Sequence, residues 1–244
     1  MSGRGIFTTI SIRDGKPFLW EKHWSRLTST AKKIGIDLSN FSEAAVKAAL
    51  ACKLERDAIQ NGRAKIAFND ERPSRLWPSL PSPEANTSFE IVTGPIRELP
   101  ENFRVGISPF PVNSLAPTSG LKTTNYLEPT LCFEAAIAAG FDEAIRLNEQ
   151  RRVTGACFAN VFWLKDNTLF TPEISTGGLA GTTREFVVEK LDVREVTAEI
   201  DELERADAVF LTSAGIGIVR AASLAETVFR PLDHPILDLI EGWA

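Results

Sequence analysis

The chain has 244 residues, 43% hydrophobic and 24% charged, and its 27 Lys and Arg against 32 Asp and Glu give a net charge of -5. That balance argues against coating a nucleic acid, which needs a basic face, and no apolar run approaches the roughly 20 residues that span a bilayer. Three cysteines without CxxC spacing (Cys52, Cys132, Cys157) and two histidines (His23, His234) argue against a disulfide framework, a metal centre and a Ser-His-Asp triad.

The opening MSGRGIFTTI lacks the basic and apolar regions of a secretory signal, so a cytoplasmic protein is expected. Residues 6–12 (IFTTISI) predict a strand that turns at Asp14-Gly15 into a returning strand over 16–20. Trp24, Leu27, Ala31 and Ile34 recur at helical spacing, which predicts a helix over 23–34 stopped by Gly35. A second helix is expected over 41–59, opening at Ser42, then a strand over 64–68. The proline-rich stretch 70–87 reads as a loop, followed by strands over 89–93 and 104–108.

Residues 109–120 (PFPVNSLAPTSG) form the best boundary in the chain. The expected division is an N-terminal α/β domain over 1–110, an interdomain loop over 111–120 and a C-terminal domain over 121–244. Beyond the boundary, helices are predicted over 125–139 and 182–191. Strands are predicted over 143–147, 152–154, 160–164, 168–171 and 208–212, and the tail 231–244 reads as a short helix. The fold class is mixed α and β in two domains.

Three features bear on chemistry. Lys122 ends the boundary segment in the polar setting GLKTTNY, at the mouth expected between the two domains. A single lysine is ordinarily a solvated charge, whereas a buried one with a lowered pKa is a nucleophile. GGLAGTTR, residues 177–184, opens a helix, where free N–H groups and the dipole favour an anion; the plainer reading is a turn capped by Thr182. TSAG, residues 212–215, follows an apolar strand and either offers N–H groups to the same anion or is an ordinary turn.

These stretches belong to a longer series: GIFTT, HWSRL, LKTTNYL, GFDEAIRLN, RRVTGACFANVFWLKDNTLFTP, LAGTTREFVVEKL and ADAVFLTSAGIGIV. In that order they resemble the class IV aminotransferase superfamily, the fold type IV pyridoxal phosphate enzymes. The resemblance implies a two-domain, D-amino acid aminotransferase-like fold. It implies pyridoxal 5'-phosphate as cofactor, a small-molecule amino substrate and a homodimer. Lys122 resembles the lysine that binds the cofactor covalently and moves the substrate proton. Arg26 resembles the arginine on the cofactor phosphate. Thr182 and Thr183 resemble the helix-start pair of the phosphate cup, and Ser213 and Ala214 its second loop. Ala214 offers only a backbone contact, because some members carry threonine there.

Three departures accompany these matches. Gly155 stands where the family has a glutamate against the pyridine nitrogen, so another carboxylate or a water takes its place, or the ring is a weaker electron sink. The strand that usually precedes the first matching stretch is missing. Residues 69–75 (NDERPSR) lack the expected arginine-glycine pair, with Arg72 or Arg75 as substitutes.

The K-x-x-N spacing of Lys122 and Asn125, Phe7 in place of the D-amino acid branch's tyrosine, and the FTT and ANVFW stretches most resemble 4-amino-4-deoxychorismate lyase. That branch eliminates pyruvate to leave 4-aminobenzoate. The alternatives are an aminotransferase for branched-chain or D-amino acids, or a degenerate cofactor-binding homologue.

Overall fold

Alternating side chains along Gly5–Arg13 (β1) send Ile6, Thr8, Ile10 and Ile12 to one face, all fully buried. The structure, a computed structural model, describes residues 3–72 and 87–239. Most of the loop expected over 70–87, including Arg75, and residues 240–244 lie outside the described residues.

Asp14 and Gly15 both take positive φ (47° and 69°), the geometry of a tight hairpin turn, and lead into Lys16–Pro17 (β2). The returning strand expected to reach residue 20 stops at Pro17. Leu19 turns left-handed (φ 54°), and the chain enters the helix Trp20–Ile34 (α1) three residues before the expected start. Gly35 ends α1 as expected: its φ of 74° suits glycine, and its N–H donates to the Ala31 carbonyl. Ser42 accepts from the Ala45 N–H and caps Glu43–Arg56 (α2), which stops short of residue 59 because Ala58 turns to φ 55°. Gly62–Asp70 (β3) and Thr87–Gly94 (β4) complete an antiparallel sheet in the order β2-β1-β3-β4. Its buried face packs Ile6, Ile10, Ile66 and Phe68 with Trp20, Leu27, Leu50 and Leu54 of α1 and α2.

The second unit contains Arg104–Ile107 (β5), Leu127–Ala138 (α3), Glu143–Leu147 (β6), Val153–Ala156 (β7), Asn160–Lys165 (β8) and Thr168–Pro172 (β9). It continues through Thr182–Lys190 (α4), Val193–Val196 (β10), Ile200–Glu204 (α5), Ala208–Ser213 (β11) and Gly217–Arg220 (β12). Ser223–Leu224 (β13), Thr227–Val228 (β14) and Pro235–Asp238 (α6) close it.

Two five-stranded sheets form, β10-β9-β8-β11-β12 and β14-β13-β5-β6-β7. Val161 and Trp163 of β8 join a core with Val105, Ile145, Val153 and Leu211. Phe162 and Leu164 of the same strand point the other way, to Val187 of α4 and Ile236 of α6. A strand covered on both faces reads as a continuous apolar run, which is why VFWL does not alternate. The elements absent from the sequence expectation (β10, α5 and β12 to β14) span two to five residues, too few for a period to register.

The contact division differs from the one expected. The first unit holds residues 1–96 and Lys122–Tyr126, and the second the remainder. Residues 97–121 join the second unit because β5 pairs in parallel with both β6 and β13. Lys122–Tyr126 belong to the first because β2 is too short to cover β1. The Phe7 N–H donates to the Lys122 carbonyl (3.1 Å) and the Thr124 N–H to the Gly5 carbonyl (2.9 Å), completing the open edge.

Candidate active site

In the first unit, that edge pairing presents Lys122 beside β1. Its Nζ lies 3.0 Å from the Tyr126 hydroxyl and stands over the rings of Phe7 (4.4 Å) and Tyr126 (4.3 Å), which meet edge to face. Burial pushes the Lys122 ammonium well below the usual lysine range, and the charges of Arg26 and Lys65 push the same way. Lowering the pKa raises the share of neutral amine, whose lone pair makes it a nucleophile and a base.

Arg26 projects from α1, where it is half-buried, and donates to the Thr8 hydroxyl (2.8 Å). That hydroxyl also meets His23 Nδ1 at 2.7 Å. Burial lowers the His23 pKa, and the charges of Arg26 and Lys122 add to the effect, so the ring is neutral. Thr8 accepts from Arg26 and shares one hydrogen bond with His23 Nδ1, whose donor is set by the ring nitrogen that carries the proton. The chain thus holds one arginine in place through a hydroxyl and a neutral histidine. Thr8 was not singled out from the sequence. The available signal was one polar residue among Ile6, Ile10 and Ile12 on the buried face of a strand.

In the second unit, the glycine-rich segment runs tightly over the ends of β7 and β8. A Cβ on Gly178 would fall 2.3 Å from the Thr154 carbonyl oxygen, and one on Gly181 would fall 2.0 Å from Asn160 Oδ1. Only glycine permits this approach. Asn160 Nδ2 donates to the Leu179 carbonyl (2.8 Å) and fixes the segment from below.

Gly181 caps α4 without a side-chain hydrogen bond, and Thr182 and Thr183 begin the helix with their side chains buried. The first turn of a helix leaves N–H groups and a positive dipole end, which suit an anion. Asn160 lies opposite Thr212 in the β8–β11 register, and Thr212 leads into the turn of Ser213 and Ala214. The structure therefore gathers Thr182, Thr183, Ser213 and Ala214 at one end of this sheet. Thr212, fully buried, has an Oγ1 with no hydrogen-bond partner among the described residues.

Gly155 lies on β7 with φ +154°. Among the described residues no group of three or more His, Cys, Asp or Glu could hold a metal, and no helix is long and apolar enough to cross a membrane.

A D-alanine aminotransferase of Bacillus licheniformis is 28% identical over 91% of this chain and 79% of its own length. An aminodeoxychorismate lyase of Bacillus subtilis is 26% identical over 92% and 78%. The crystal structure of 4-amino-4-deoxychorismate lyase from Pseudomonas aeruginosa superposes with a TM-score of 0.80 at 26% identity, over 98% of this chain and 89% of that one. Residues 5–224 match the family described as amino-transferase class IV. The chain belongs to this class IV family of pyridoxal phosphate-dependent enzymes.

Proposed function

We propose that the chain is a pyridoxal phosphate-dependent lyase that eliminates pyruvate from 4-amino-4-deoxychorismate to leave 4-aminobenzoate. The observation that carries this reading is the setting of Lys122, a buried amine of lowered pKa held against the aromatic faces of Phe7 and Tyr126. Those faces suit a flat six-membered ring better than a small aliphatic amino acid.

The residues present fit the cofactor. Lys122 supplies an amine of lowered pKa for an aldehyde, Arg26 a guanidinium for the phosphate, and the start of α4 a helix N-terminus. Thr212 leaves a buried hydroxyl unsatisfied beside that helix start. Lys122 would hold the cofactor covalently. Arg26, Thr182, Thr183 and Ser213, with the Ala214 backbone, would hold its phosphate. When bound, the cofactor supplies an electron sink next to the carbon bearing the substrate amino group.

Released when the substrate amino group takes its place, the Lys122 amine would remove the proton from that ring carbon, and the adjacent C–O bond would break as its electron pair leaves with the enolpyruvyl group. Lys122 returns the proton to the methylene carbon of the departing group, so the products are pyruvate and an aromatic amine. Tyr126 stays within hydrogen-bond reach and orients the amine between the two transfers.

Amino transfer is the second reading, favoured by the comparable similarity to D-alanine aminotransferase. Borohydride reduction after adding pyridoxal phosphate, with peptide mapping by mass spectrometry, should label Lys122 in the wild type and leave Lys122→Ala unlabelled. Unreduced enzyme loaded with pyridoxal phosphate should form 4-aminobenzoate from aminodeoxychorismate faster than it moves an amino group from D-alanine or leucine. Absence of label defeats both readings, and faster amino transfer replaces the first with the second. The same reading carries a cytoplasmic homodimer, for which light scattering should give twice the chain mass.

A further inference from the structure

The glutamate expected at position 155 is absent, and the neighbouring strand pairs an arginine with that position. Arg146 of β6 is the direct cross-strand partner of Gly155 on β7. With no side chain on Gly155, Arg146 supplies the one side chain of this cross-strand pair. The register shifts immediately after Arg146, an irregularity of the kind that re-aims a side chain.

The Arg146 side chain is 7% exposed. One guanidinium nitrogen donates to Glu128 at the start of α3. Its Nε is buried with no hydrogen-bond partner among the described residues. A buried N–H on a charged group that lacks an acceptor is costly, and a bound acceptor would satisfy it.

The structure closes the other routes to a replacement acid. Glu143 is the one buried carboxylate of this unit among the described residues, and its oxygens accept from the N–H groups of Ala144, Cys157 and Phe158. Gly155 itself resists an acid: at φ +154° its Cβ would lie 3.1 Å from the Ala159 carbonyl oxygen.

We propose that Arg146 stands in for the missing glutamate and donates a hydrogen bond to the pyridine nitrogen of bound pyridoxal phosphate, keeping that nitrogen unprotonated. The inference rests on the cofactor reading above. A guanidinium has donors and no acceptor and does not release its proton, so it can pair only with the nitrogen lone pair. A neutral ring withdraws electrons less strongly than a pyridinium. That disfavours amino transfer, which relies on the ring, more than an elimination driven by formation of an aromatic product.

The test uses the full chain loaded with pyridoxal phosphate carrying 15N in the ring and fixed to Lys122 by borohydride. Its 15N chemical shift is followed against pH beside free phosphopyridoxyl-lysine. The wild-type nitrogen should titrate at least about one pH unit below the free compound, and Arg146→Leu should return the midpoint to the free value. A wild-type midpoint at or above the free value overturns the inference without touching the cofactor reading, and it needs no variant to fold. An Arg146→Leu midpoint equal to wild type also overturns it, with Arg146→Lys as the variant that keeps the charge and should retain a lowered midpoint. Failure to label Lys122 removes both the cofactor reading and the inference.

Discussion

Replacing Thr8 with valine isolates the link between the first unit's core and the arginine proposed to hold phosphate. Valine preserves the branched shape on β1, so the fully buried site keeps its volume and loses only the hydroxyl. Two hydrogen bonds disappear, one from Arg26 at 2.8 Å and one with His23 Nδ1 at 2.7 Å. A bond to a charged group is worth about 1.5–3 kcal/mol and a neutral one about 0.5–1.5 kcal/mol, so the variant should lose about 2–4 kcal/mol. For a chain of this size that lowers Tm by about 4–16 °C.

Thr8→Ser keeps the hydroxyl, gives up one buried methyl and should cost about 1 kcal/mol. Calorimetry on the two variants and the wild type measures the difference. A second readout is pyridoxal phosphate affinity: an Arg26 that has lost this anchor should bind the cofactor about tenfold more weakly, equivalent to about 1.4 kcal/mol. If Thr8→Val is no less stable than Thr8→Ser and binds cofactor equally well, the hydroxyl relay is not what holds Arg26.

His23 sets a pH dependence with a definite sign. Its folded pKa lies well below the ordinary 6.5, so the unfolded chain takes up a proton as pH falls below 6.5 while the folded chain resists. Stability of the cofactor-free chain should therefore be complete above that pH and decline below it. Urea midpoints measured against pH should show a shallower decline in His23→Asn, and an unchanged slope would refute the buried neutral ring. Gly181→Ala would place a Cβ 2.0 Å from Asn160 Oδ1 and force that side chain off the Leu179 carbonyl. Pyridoxal phosphate titration by fluorescence should show affinity reduced by about tenfold or more, and undiminished affinity would remove the start of α4 from the phosphate site.

Local sequence carried much of this architecture, because elements of nine residues or more leave a visible period. β1, α1, α2, β3 and α4 were legible from alternation, helical spacing and end signals such as Ser42 and Gly35. The stretches around Arg26, Lys122, Thr182 and Ser213 on which the family resemblance rests were legible too, since each is a run of several residues in a recognisable order.

Other properties depend on residues far apart in the chain. The pKa of Lys122 is lowered because the amine is buried and the charges of Arg26 and Lys65 lie near it, beside a β1 edge that the two-residue β2 leaves open. Thr8 and His23 acquire their meaning only when β1 packs against α1. Arg146 faces Gly155 through a pairing that a one-residue slip would have turned to the opposite face of the sheet. Burial, register and electrostatic environment are sums over neighbours in space, and a linear chain does not state which neighbours those are.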